Sequence, residues 1–117
     1  MKRSETLQKL GAHRDDMTRM DVKTLAVFGS VARDEARPDS DVDIMVEFQC
    51  PATFNGYMDL KFFLEDLLGN SVDLVTRKSI RPRLMTQIEK EALYVRDYQT
   101  FLEDMQTLVG RFHPKLR

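Results

Sequence analysis

Residues 41–48 read Asp-Val-Asp-Ile-Met-Val-Glu-Phe, and this alternation constrains the chain more than any other stretch. Side chains along a strand point to opposite faces in turn. Val42, Ile44, Val46 and Phe48 therefore share one face, and Asp41, Asp43, Met45 and Glu47 the other. As a helix, the same residues would spread their apolar side chains around the whole circumference. The chain must build a sheet with one face on a hydrophobic core and a second face carrying acids.

The rest of the pattern supplies partners for that strand. Residues 4–18 place Leu7, Leu10 and Met17 at helical spacing, with Met20 just beyond, although Gly11 weakens the helix. Lys23 to Phe28 carries Leu25, Ala26, Val27 and Phe28, a run too short for a helix and apolar enough for a buried strand. Gly29 ends it, and Ser30 is placed to cap a short helix running to about Ala36, before Pro38 biases Arg37 away from helical geometry. Residues 56–68 put Tyr57, Leu60, Phe63, Leu64, Leu67 and Leu68 on one helical face, with Gly69-Asn70 as the stop. A strand is expected over 71–76, with Val72 and Leu74 opposite Ser71, Asp73 and Val75. Pro82 suits the first turn of a helix using Leu84, Met85, Ile88 and Ala92, and Leu93-Tyr94-Val95 reads as a short strand or the end of that helix. The expected fold is α/β (α+β): a small mixed β-sheet flanked by helices.

Residues 97–110 form a final amphipathic segment. Asp97 can cap it, and Tyr98, Phe101, Leu102, Met105, Leu108 and Val109 make a continuous stripe. The division that follows is a domain over 1–96 and a C-terminal helix and tail over 97–117. That helix either packs on its own core or docks a partner or a second copy of the chain.

With 117 residues and a formal net charge of -1, the chain has room for one core and no basic field to draw it to free nucleic acid or anionic membrane. No long apolar run reads as a signal or a spanning helix. Cys50 is the only cysteine, so an intrachain disulfide is impossible, and a reducing cytoplasm is the expected location.

The acids and the Gly-Ser turn carry the chemistry. Asp41 and Asp43 project from one face about 6.6 Å apart along the backbone, a spacing from which two carboxylates converge on one cation or bridge two. Oxygen-only ligands suit magnesium or manganese, which also bind substrate phosphates. Asp73 would join them if its strand is the neighbour, because adjacent strands lie about 4.8 Å apart. A third carboxylate can complete the second metal site and accept a proton from an attacking hydroxyl. Gly29-Ser30 lets the backbone approach an anion closely at a helix start, with the Ser30 hydroxyl as a further donor. Arg33, one turn on, can reach a phosphate oxygen or brace the carboxylates. Asp-x-Asp alone and Gly-Ser alone are common surface features. Four specified residues at fixed spacing arise by chance in on the order of one in a thousand chains this long.

With these residues in place, the chain resembles a minimal nucleotidyltransferase of the DNA polymerase beta superfamily. The signature is Gly29-Ser30, then Asp41-Val42-Asp43 about ten residues later, then Asp73 within Ser71-Val72-Asp73-Leu74-Val75. The likeness runs from the first helix to about Val95 and takes in Phe28-Gly29-Ser30-Val31-Ala32-Arg33 and Glu91-Ala92-Leu93-Tyr94. Small members of this group are often encoded beside HEPN-domain ribonucleases, for which they act as antitoxins. The resemblance implies a polymerase-beta-like fold and transfer of AMP from ATP onto a tyrosine of the HEPN toxin, with pyrophosphate released. It implies two magnesium ions on Asp41 and Asp43, with Asp73 completing the site and assisting the nucleophile, and the triphosphate held by Gly29 and Ser30. Two departures stand out. Relatives usually have glycine after the Arg33 position where this chain has Asp34, which adds negative charge near the phosphate site. The 97–110 stripe lies beyond the minimal fold, and Phe101-Leu102-Glu103-Asp104-Met105 is similar to the opening helix of a HEPN partner.

Two other readings stay open on sequence alone. In one the chain neutralises a partner by contact without catalysis, although binding does not require three convergent acids. In the other the acceptor is a small molecule or an RNA end, which in such relatives usually needs an extra substrate domain.

Overall fold

The computed structural model describes residues 2–97 and 102–103. Helices α1 (Arg3–Gly11) and α2 (Arg14–Arg19) lead into strand β1 (Val22–Phe28), a one-turn helix α3 (Gly29–Ala32) and strand β2 (Val42–Phe48). Helix α4 (Phe54–Leu68), strand β3 (Val72–Thr76), helix α5 (Pro82–Glu91) and strand β4 (Leu93–Arg96) follow. The four strands form one sheet in the order β3-β2-β1-β4. β1 is antiparallel to both β2 and β4, whereas β2 and β3 run parallel. Parallel pairing demands a crossover, and α4 provides it.

The alternation in β2 places the core where the sequence requires it. Val42, Ile44 and Val46 join Leu25 and Val27 of β1, Val72 and Leu74 of β3 and Val95 of β4 in one buried cluster. Leu60, Leu64 and Leu68 of α4 complete it, together with Leu10 of α1 and Met17 of α2. The α4 boundaries are set by local chemistry. Thr53 is its N-cap, and its hydroxyl accepts the Gly56 N–H at 3.0 Å. Gly69 ends the helix in the left-handed region at φ 69°. Replacing Thr53 with Ala should destabilise the fold by about 1 kcal/mol, read as a fall of about 4 °C in a thermal melt.

Several expectations are corrected. The single helix over 4–18 is two, because the chain turns between Gly11 and Arg14 and presents Leu10 and Met17 to the core from separate helices. The helix after Gly29 stops at Ala32 rather than near Ala36, where Asp34 takes φ 61° and Glu35 N–H returns to the Ser30 carbonyl. Its N-cap is Phe28, so Ser30 is the second residue of α3 and not its cap. The apolar stripe of α5 is only partly covered: Met85 and Ile88 are half-buried, no residue of the helix is fully buried, and Leu84 is 51% exposed. Of the two readings of Leu93-Tyr94-Val95 the strand is the one found, running from Leu93 to Arg96, and the buried Arg96 donates from Nε to the Val22 carbonyl. Of the 97–110 stripe, all but Asp97, Leu102 and Glu103 lies outside the described residues. Among the described residues, no helix is long and apolar enough to cross a membrane.

Candidate active site

The second face of the sheet is acidic at one end and covered at the other. Met45 and its ladder partner Ala26 lie on that face yet are buried, Met45 to 2% exposure. Tyr94 enters from β4, and Arg77, just past β3, meets it at 3.0 Å through Nη1 and the phenol oxygen. Glu89 accepts the Tyr94 hydroxyl at 3.0 Å and pairs with Arg77 at 2.8 Å. The two side chains meet from opposite edges of the sheet, β4 and the end of β3. Met45 thus shares the acids' face, as the alternation requires, and is buried there, and the open part of the face is the end that carries Asp43.

There the register does what the sequence could only make conditional. Asp43 of β2 lies directly beside Asp73 of β3 in the parallel ladder, and Phe28 of β1 is its partner on the other side. Neighbouring strands put the two carboxylate-bearing backbones about 4.8 Å apart. Asp41 does not belong to the strand, as the alternation suggested. Pairing begins at Val42, whose N–H bonds to the Ser71 carbonyl, and Asp41 sits exposed in the loop just before it. Burial raises the Asp43 carboxyl to a pKa of about 6, with the charges of Asp73 and Asp41 adding to the effect and Arg33 opposing it. The three acids therefore share one electrostatic neighbourhood.

Gly29 closes this corner. It takes φ 72°, and a Cβ placed on it would stand 2.1 Å from Asp43 Oδ2. Only a residue without a side chain lets the turn after β1 lie against the acid. Arg33, expected to reach phosphate or brace the acids, points its Nη1 at Glu91 Oε2 at 2.7 Å and its Nε at Glu35 at 3.4 Å. Glu91 Oε1 also accepts the Gly29 N–H at 3.3 Å. Glu91 is thus a member of the site that the residue pattern did not single out. In the sequence it stands in the Glu91-Ala92-Leu93-Tyr94 run at the end of the Pro82 helix with no role attached, and the fold alone brings it across to Gly29. Asp34 turns away from this corner. Its carboxylate accepts the Arg3 N–H at 3.1 Å, where a negative charge suits the start of α1. Its φ of 61° also explains why a glycine would be at home there.

Among the described residues, no three His, Cys, Asp or Glu side chains are drawn into a ready-made metal cluster. The donor set still fits a hard divalent cation, since it is oxygen-only and carries mutual repulsion at Asp43 that a cation would relieve.

The family described as "Nucleotidyltransferase domain" matches residues 10–95. The protein adenylyltransferase MntA of Thermococcus cleftensis is 39% identical over 87 residues, which cover 74% of this chain and 88% of that one. A solved structure described as a minimal nucleotidyltransferase superposes with a TM-score of 0.71 at 39% identity, covering 80% of this chain and 95% of that chain. The fold also matches a chain from the complex of tri-AMPylated Shewanella oneidensis HEPN toxin with MNT antitoxin, at a TM-score of 0.53 and 16% identity over 92% of this chain and 94% of that one. Gly29, Ser30, Asp41, Asp43 and Asp73 all fall inside the matched span, and the chain belongs to the nucleotidyltransferase family, in its minimal form.

Proposed function

We propose that this chain transfers AMP from ATP to a tyrosine of a HEPN-domain toxin and acts as that toxin's antitoxin. The observation that carries the reading is the juxtaposition of Asp43 with Asp73 in the ladder and with Gly29 across the turn. Asp41, Asp43 and Asp73 would hold divalent cations, with magnesium as the expected ion. Bound there, such ions supply charge neutralisation at the phosphates and a more acidic acceptor hydroxyl. The turn at Gly29 and Ser30 offers backbone approach and a hydroxyl to the triphosphate. Asp73 is exposed at the edge strand and can take the phenolic proton as the tyrosine oxygen bonds to the α-phosphorus. The bond from that phosphorus to the bridging oxygen of the β-phosphate breaks, and pyrophosphate leaves. The Thermococcus relative named as a protein adenylyltransferase and the fold shared with an antitoxin from a toxin complex favour a protein acceptor.

The test uses the purified chain, a HEPN-domain toxin as acceptor, magnesium and ATP. Label in the α-phosphate should move to the HEPN protein and label in the γ-phosphate should not, with transfer lost on chelation. Transfer of the γ-label would make the protein a kinase, and no transfer of either label would leave the contact-only reading in possession.

A further inference from the structure

Glu91 is out of place for a helix terminus. It is the last residue of α5, where the partial negative charge of the helix end disfavours another anion. It is held there by contacts with a distant segment: Arg33 Nη1 at 2.7 Å and the Gly29 N–H at 3.3 Å, with its side chain 25% exposed. Gly29 is the residue whose missing side chain admits Asp43, and Arg33 is the cation whose field acts on Asp43. One carboxylate therefore ties the end of α5 to Gly29 and Arg33.

We infer that Glu91 is a positioning residue, which fixes the Gly29 turn and the Arg33 guanidinium in the arrangement that receives the triphosphate. The inference rests on the nucleotidyl-transfer reading and deepens it. Arg33 is half-exposed and would otherwise sample many rotamers, and a bonded carboxylate restricts it to one region beside the acids. The Gly29 N–H contact sets the level at which the turn passes Asp43. The role differs from fold stabilisation, because a salt bridge this exposed contributes little to it.

The experiment compares the full chain with Glu91→Gln and Glu91→Ala. Binding of ATP with magnesium is measured by titration calorimetry, transfer is resolved into kcat and KM, and melting is followed by circular dichroism. Glu91→Gln should weaken ATP binding about tenfold and Glu91→Ala more, with kcat within about threefold, as befits loss of one charge-assisted contact. Melting should move by no more than about 2 °C. Unchanged affinity in Glu91→Ala would overturn the inference. So would tighter binding, which would make Glu91 a competitor for the phosphate donors. Failure of the unaltered chain to bind ATP at all would overturn the nucleotidyl-transfer reading, and this inference with it.

Discussion

Gly29→Ala should reduce AMP transfer by at least about 100-fold while the protein still folds. The new methyl would stand 2.1 Å from Asp43 Oδ2 and 3.0 Å from its Cγ, so the carboxylate has to swing away. The movement is mechanically easy, because it falls on the end of one side chain. Its consequence is chemical, since the displaced group is a member of the acidic corner, and a shift of about 1 Å at a reacting centre can cost about 100-fold in rate. The backbone adds a smaller penalty, about 1–2 kcal/mol for holding alanine at φ 72°. Gly69→Ala separates the two effects. Gly69 has nearly the same φ, 69°, but nothing lies within 4 Å of the added methyl, and it is the C-cap of α4. That variant should lose similar stability and keep its activity. Equal transfer rates for the two alanine variants would show that Asp43 does not work from its observed position.

The parts of this site that were legible in the sequence are those governed by local periodicity. Alternation in residues 41–48 required a sheet with one apolar face, and the core of Val42, Ile44 and Val46 bears that out. The same alternation could not say that Asp41 stands one residue outside the strand, because where a strand starts depends on its neighbour's first hydrogen bond, here from Val42 to Ser71. Nor could it reveal that Met45 is buried on the acids' face, since burial there depends on what the rest of the chain lays over the sheet. The juxtaposition of Asp43 with Asp73 depended on which strands are neighbours, and the parallel pairing of β2 with β3 supplied it. Glu91 was illegible for a related reason. Its distance in sequence from Gly29 hides a contact made only when β4 pairs with β1 and brings the end of α5 over the turn. Asp34 shows the converse, a residue whose charge suggested interference with phosphate and whose backbone instead turns it toward α1.

Asp43→Asn should abolish transfer, by at least about 1,000-fold, and at the same time make the metal-free protein more stable. The two effects share one cause. Asp43 titrates at about 6 in the folded chain against an ordinary value of 3.8, so the folded state holds its proton more tightly than the unfolded one. Stability contributed by that proton is fully present below pH 3.8 and is lost as the pH rises through 6. Asparagine carries no such titration. The variant and the unaltered chain should therefore melt closest together near pH 4 and diverge up to about pH 7. Asp43 is partly exposed, and solvent screening reduces the full linkage value to about 1–2 kcal/mol, or roughly 4–8 °C in melting temperature. Saturating magnesium should raise the melting temperature of the unaltered chain and close much of the gap, because a cation removes the repulsion that Asp73 and Asp41 impose. A less stable Asn variant at pH 7 in chelator would contradict the electrostatic account of the corner. The same variant also separates catalysis from contact. If it folds, binds its HEPN partner and still silences it, neutralisation is by binding; if it binds and the toxin stays active, the acids act through chemistry.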